Sequence, residues 1–302
     1  MHHAKISKPP HPLKRQVPLP EQACKPEEED KHARAKIASI ISSPSYIQAD
    51  QDVDFLKTED LLAVRLQLDY FKTELSLRAQ DIENTIVVFG STRIRERASI
   101  EHEIEQVKDG PKQAGRLKIL ERLLEKCHHY QTARDLGKIV ATAKHPEPLN
   151  NLTLVTGGGP GIMEAGNRGA HEEKARTIGF NINLPLEQFP NPYVTPELCF
   201  QFHYFAIRKF HFMNRAKALV AFPGGYGTFD ELFEVLTLIQ TRKSKPIPVI
   251  LVGESYWKQA VNFDFLVDEG VIDPEDKELF WYAESAEEIW DGICQWYELC
   301  ET

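Results

Sequence analysis

No stretch of this 302-residue sequence approaches the roughly 20 consecutive apolar residues that a membrane-spanning helix requires, so no membrane partner is expected. Cysteine is sparse and unpatterned. Cys24, Cys127, Cys199, Cys294 and Cys300 are odd in number and form no CxxC pair, which leaves neither a zinc site nor a redox motif. Scattered thiols of this kind fit a reducing cytoplasm, the expected location. The histidines are equally diffuse. His128 and His129 are neighbours on a predicted helix and diverge in direction, so no metal is expected. Basic charge is in deficit: 36 Lys and Arg against 45 Asp and Glu leave a net charge of −9, which argues against nucleic-acid binding. A small phosphorylated ligand stays compatible with that balance, because local amides and a few arginines suffice to hold one. Met1 to Pro10 lacks an apolar core, so no secretory signal is expected.

What is present is an ordinary globular composition, 42% hydrophobic and 27% charged, long enough to bury a sizeable core. Residues 1–50 read as a flexible tail. Pro9, Pro10, Pro12, Pro18 and Pro20 precede the acidic run Glu27 to Asp30, and only a short helix around Ala33 to Ile41 is predicted. Residues 51–80 read as an N-terminal helical element. Leu61, Val64, Leu68, Phe71 and Leu75 recur at steps of three and four, giving an apolar stripe over 54–79 that should pack on the main domain or on a second subunit.

From residue 81 to 302 the pattern changes. Short apolar runs at Ile86–Phe89, Leu152–Val155, Thr177–Asn183, Ala218–Phe222 and Ile247–Val252 alternate with helical periodicity at 130–143, 161–174, about 199–216, 228–241 and 285–299. Continuous apolar strands alternating with helices predict an α/β fold: a Rossmann-like, doubly wound parallel sheet. The stretch of about 96–129 is charged, carries Leu117, Leu120, Leu123 and Leu124 on one face, and reads as a helical insert.

Three of the strands end in small or glycine-rich turns: Gly90-Ser91, Gly157-Gly158-Gly159-Pro160-Gly161 and Gly224-Gly225-Tyr226-Gly227-Thr228. In a doubly wound sheet such turns lie together outside the carboxyl ends of the strands, where the following helices aim free N–H groups. One such loop is no more than a tight strand-to-helix turn; three on one edge point to a phosphate-bearing ligand. The dinucleotide fingerprint is absent, because the third glycine position falls on Ile162 in one loop and on Asp230 in the other. No GxxxxGK[ST] occurs either, so a mononucleotide fits best.

Pro223-Gly224-Gly225-Tyr226-Gly227-Thr228-Phe229-Asp230-Glu231 fits PGGxGTxxE, and Arg208-Lys209 stands upstream of it. Gly157 to Ala165 resembles a GGGxxGxM segment, and Gly90-Ser91 a first-strand GS turn. On these motifs residues 80 to 300 resemble the Lonely Guy (LOG) family, whose members often carry the label "possible lysine decarboxylase". The N-terminal tail and the 96–129 insert lie outside the pattern of short members. The resemblance implies hydrolysis of the N-glycosidic bond of a nucleoside 5′-monophosphate, of the AMP or cytokinin riboside monophosphate type, to free base and ribose 5-phosphate. It implies a homo-oligomer, a dimer or larger. No cofactor is expected, since nothing marks a Schiff-base lysine or a pyridoxal phosphate site.

By the same resemblance Arg208 and Glu231 are catalytic. Glu231 would stabilise the cationic sugar, hold a ribose hydroxyl or orient the water; Arg208 would polarise the leaving base or hold the nucleotide. Gly224, Gly225, Tyr226, Gly227 and Thr228 would bind the 5′-phosphate. Gly90, Ser91, Gly158, Gly159, Met163, Glu164 and Lys209 complete the expected substrate-binding set. The competing reading is a nucleotide-binding sensor without turnover.

Overall fold

The computed structural model describes residues 25–26, 28–107, 114–143, 147–184 and 189–300. The chain divides into two compact units, Met1–Arg65 and Leu66–Thr302. In the first lie α1 (Ala33–Ile41), a 3-10 turn at Pro44–Tyr46, α2 (Val53–Leu56) and a second turn at Glu59–Leu61. The prolines of the expected tail, Pro9 to Pro20, lie outside the described residues. The boundary falls inside α3 (Leu62–Ala79). One continuous helix was expected over 54–79, and the chain breaks it. Thr58 adopts an extended conformation and its hydroxyl donates to the Phe55 carbonyl at 2.8 Å, a local bond that competes with helix continuation.

The second unit holds the sheet. Its elements run β1 (Asn84–Phe89), α4 (Arg97–Val107), α5 (Ala114–Glu125), α6 (Cys127–Thr142), β2 (Leu152–Thr156), α7 (Ile162–Glu172), β3 (Thr177–Ile182), β4 (Cys199–Phe202), α8 (Phe205–Asn214), β5 (Ala216–Ala221), α9 (Tyr226–Gln240), β6 (Val249–Val252), α10 (Glu254–Ala260), α11 (Phe263–Asp268), β7 (Trp281–Ala283) and α12 (Ala286–Cys300). The strands form one sheet in the order β4-β3-β2-β1-β5-β6-β7, every pairing parallel. This is the doubly wound α/β fold the alternating pattern predicts. Side chains of β1 alternate between two cores: Val87 and Phe89 join Phe180, Phe212, Leu232 and Trp257, whereas Ile86 and Val88 join Leu136, Leu154, Ile162 and Ile289. Burial on both faces explains why the strands read as unbroken apolar runs.

One further expectation is corrected and two are narrowed. Residues 199–202 were assigned to the helix bearing Arg208; they form edge strand β4, paired Gly179↔Cys199 to Ile182↔Phe202, and the helix starts at Phe205. Four alternating residues carry too little periodicity to separate the two states. The insert is two helices, α4 and α5, whose Ile100, Val107 and Leu120 form a small core with Cys127 of α6. The apolar stripe of α3 does not pack on the sheet domain. Leu68, Phe71 and Leu75 are exposed, while Thr73, Glu74 and Leu77 face inward. No described helix is long and apolar enough to cross a membrane.

Candidate active site

The strand order reverses between β1 and β5, and in sheets of this type the ligand crevice opens at that point beyond the carboxyl ends. The two strands leave the sheet in step. Phe222 N–H donates to the Phe89 carbonyl at 2.8 Å, and Ser91 N–H donates to that of Pro223 at 3.0 Å. The Gly90-Ser91 turn and the Pro223-Gly224-Gly225 turn therefore emerge side by side. Between them and the loop after β2 lies a cavity of about 660 Å³.

Arg208 and Glu231 both line this cavity, although they come from different helices, α8 and α9. Arg208 reaches in from the first turn of α8 and donates through Nε to the Phe180 carbonyl at 2.7 Å. Its guanidinium lies 5.1 Å from the centre of the Phe212 ring. Burial lowers its pKa from the ordinary value, and the Glu231 charge opposes that shift. Glu231 is only 6% exposed. Burial drives its carboxyl up to about 7, against the pull of Lys209 and Arg208. A carboxyl poised there exchanges a proton at neutral pH, which is what acid–base work demands.

Gly157 makes room for the arginine. A Cβ at that position would stand 2.6 Å from an Arg208 guanidinium nitrogen and 2.9 Å from the Met163 sulfur. Gly224 has the same relation to Thr228, whose hydroxyl oxygen would meet a Cβ placed there. The turn thereby brings the buried Thr228 up against the start of α9, where Gly225 is the N-cap. The Thr228 and Phe229 N–H groups both donate to the Gly225 carbonyl, at 2.9 and 3.1 Å, so the amides without an intrahelical acceptor are those that precede them, and Gly225 and Gly227 line the cavity at the positive end of the helix dipole. Tyr256 holds the turn from behind, its hydroxyl donating to the Gly224 carbonyl at 2.5 Å.

Gly90, Ser91, Met163, Gly224, Gly225, Gly227 and Thr228 line the cavity together with Arg208 and Glu231. Gly158, Gly159, Glu164, Lys209 and Tyr226 do not. Gly158, at a φ of +69°, forms the turn after β2: its N–H donates to the Thr156 hydroxyl, and its carbonyl accepts from Asn191 N–H. The Gly159 carbonyl accepts from the Asn191 amide at 3.0 Å. Glu164 turns toward α6 and accepts from the Tyr130 hydroxyl at 2.9 Å. Lys209 binds Asp230 at 2.8 Å and Glu234 at 2.7 Å, with Glu231 at 3.6 Å, so it ties α8 to α9. Burial works against its charge, yet the bonds to Asp230 and Glu234 raise its pKa overall. The Tyr226 ring is 96% exposed.

Sequence reasoning missed the support beneath the glycine loop. Asn167, fully buried on α7, accepts from the Thr156 hydroxyl at 2.7 Å and from the Asn191 amide at 2.9 Å, and donates to the Thr177 hydroxyl at 2.5 Å. It missed Asn181, Tyr256 and the cavity residues Leu123 and Lys126 as well, the first on α5 and the second directly after it. A polar residue inside an apolar helix face was the only available sign of Asn167.

The family described as "Possible lysine decarboxylase" matches residues 163–293, a span that includes Met163, Arg208 and Glu231. The cytokinin riboside 5′-monophosphate phosphoribohydrolase LOG3 of Arabidopsis thaliana is 30% identical over 171 residues, 55% of this chain and 74% of the relative. The chain belongs to the LOG family. The phosphoribohydrolase LOG4 of the same plant shares the same identity and coverage. A probable phosphoribohydrolase LOG4 of Oryza sativa subsp. japonica is 30% identical over 161 residues, 52% of this chain and 66% of its own length. Within this LOG-family chain Arg208 of the Arg-Lys pair and Gly224, Gly225, Gly227, Thr228 and Glu231 of the PGGxGTxxE motif line one cavity, to which the insert adds Leu123 and Lys126.

Proposed function

We propose that this chain hydrolyses the N-glycosidic bond of a nucleoside 5′-monophosphate, yielding a free base and ribose 5-phosphate. One observation carries the reading: a half-buried guanidinium and a buried carboxyl, delivered by separate helices, line one cavity together with the glycine turn that starts α9. The names of the curated relatives support it.

The 5′-phosphate sits against the amides at the start of α9 and the Thr228 hydroxyl, with the Ser91 turn beside it. That anchor fixes the ribose over Glu231 and lends its binding energy to the reacting centre. The C1′–N bond then breaks, its electron pair leaving with the base, and positive charge spreads over C1′ and the ring oxygen. Ionised Glu231 either stabilises that cation or takes the proton of the water whose oxygen bonds to C1′. The departing base takes up a proton, and Arg208 stabilises the charge that the base gathers before it does so. Asp230 lines the same cavity, but its side chain is exposed and bonded to Lys209 at 2.8 Å, whereas Glu231 is buried, which favours Glu231 as the working carboxyl.

The base is of the adenine type in this reading, plain or N6-substituted. The test is a panel of AMP, GMP, CMP and N6-isopentenyl-AMP with the purified chain, assayed for free base and ribose 5-phosphate. Release from at least one adenine nucleotide is expected. Saturable binding of nucleotides with no product from any of them would replace the hydrolase by a sensor.

A further inference from the structure

The helix that carries Arg208 is held from outside the cavity. Asp69, on α3, does not line the site. Its carboxylate accepts from the N–H of His203 at 3.1 Å and from the N–H of Tyr204 at 2.9 Å, the two residues that lead into α8. Tyr204 passes the constraint on: its carbonyl accepts from the Arg208 N–H at 3.2 Å. Arg208 in turn donates through Nε to Phe180. One line of hydrogen bonds thus runs from Asp69 through Tyr204 and Arg208 to strand β3. α3 grips the same helix at two further points. The Tyr70 ring stacks on buried His211 with centroids 5.2 Å apart. Glu74, buried, takes both terminal nitrogens of Arg215 at 2.8 and 3.0 Å, just beyond the end of α8.

We propose that Asp69 is a positioning residue for Arg208. It fixes the first turn of α8 and so sets the angle at which the guanidinium enters the cavity. The start of a helix suits a carboxylate, since N–H groups there lack intrahelical acceptors and the dipole favours negative charge. What distinguishes this clamp is its place: Tyr204, which it holds, is four residues before Arg208 and bonded to it. The carboxamide of asparagine presents one acceptor oxygen to the same amides, whereas alanine presents none. The side chain of Arg208 is long, so a small rotation of α8 moves its end by an ångström or more, and such displacements cost reactions heavily.

The kinetic arm rests on the hydrolase reading above; the spectroscopic arm does not. Asp69→Ala and Asp69→Asn are made in the full chain, and kcat and KM are measured on AMP. Hydrogen exchange of the Arg208 Nε–H is followed by NMR alongside melting temperature. In Asp69→Ala kcat is expected to fall by about 10²-fold with KM nearly unchanged, because the lost interaction acts on the transition state. Exchange of the Arg208 Nε–H is expected to quicken by about tenfold or more as its bond to Phe180 loosens. Asp69→Asn restores both toward wild type. A lower melting temperature in Asp69→Ala with wild-type kcat and exchange would overturn the proposal, as would equal loss in both variants. Where Asp69→Ala fails to fold, Asp69→Glu takes its place: one added methylene keeps the charge and shifts the clamp, and unaltered exchange there overturns the proposal too. A wild-type chain with no turnover removes the hydrolase reading, and the exchange result still decides the role of Asp69.

Discussion

Glu231 costs the fold stability in order to be useful. Its carboxyl stands at about 7 in the folded chain against an ordinary 4.5, with burial the main cause. Between those values the folded state binds the extra proton, so stability falls as pH rises from about 4.5 to about 7 and stays low above. The full penalty is on the order of 3 kcal/mol. Glu231→Gln is therefore expected to unfold at higher urea than wild type at pH 8, by on the order of 2–3 kcal/mol, and to match it near pH 4.5. The same substitution should lower turnover by about 10³-fold, within the range for lost acid–base or electrostatic assistance. If the carboxylate is the working form, kcat/KM of the wild type climbs with pH through a midpoint near 7 and levels off only about one unit or more above it. Gly157→Ala tests the arginine from the other side: its Cβ would meet the guanidinium at 2.6 Å, so kcat should drop by about 10²-fold while the sheet survives. Arg208 and Glu231 were legible because their motifs are long and correctly spaced. Gly158 and Gly159 were expected at the site and Gly157 was not, yet Gly157 is the one that lines the cavity, since only the path of the arginine side chain distinguishes them.

At the level of elements, the central strands buried on both faces were readable as apolar runs, and their alternation with helices gave the parallel, doubly wound class; the order of the strands and the short β7 come from the structure. β4 was not readable either, because Cys199 to Phe202 offers only two inward aromatic residues before a helix begins. The helix expected over 54–79 broke at Thr58 through a single side-chain bond to the backbone, an event that periodicity does not record. The loop after β2 is likewise governed by contacts remote in sequence. Asn167 gathers Thr156, Thr177 and Asn191 around one amide, and no window of sequence contains all four. Asn167→Ala would remove one buried hydrogen bond from each of those groups, leaving Thr156 its bond from Gly158, Thr177 its bond to Leu154 and Asn191 its bond to Gly159. A loss of about 1–3 kcal/mol in urea unfolding is expected, with a raised KM as the Gly157 turn loosens.

For the molecule as a whole, the reversal of strand order between β1 and β5 decides where chemistry can happen, and everything else is arranged around that crevice. The exposed face of α3 shows how far sequence pattern reaches. An apolar stripe was evident, but the inward face turned out to be the one with Thr73, Glu74 and Leu77, because the bond to Arg215 settles the rotation of the helix. Replacing Phe71 and Leu75 by Glu tests the remaining role for the stripe. If it joins subunits, light scattering should report a smaller particle than wild type, with melting behaviour of the sheet domain little changed.

Leu123 and Lys126 reach the cavity from the insert, not from the sheet, whereas Arg208 and Glu231 flank strands of the sheet itself. On the proposed reading, substitutions in the inserted helices are expected to change which base is admitted, and substitutions of Arg208 or Glu231 to change turnover, so the two properties can be altered independently.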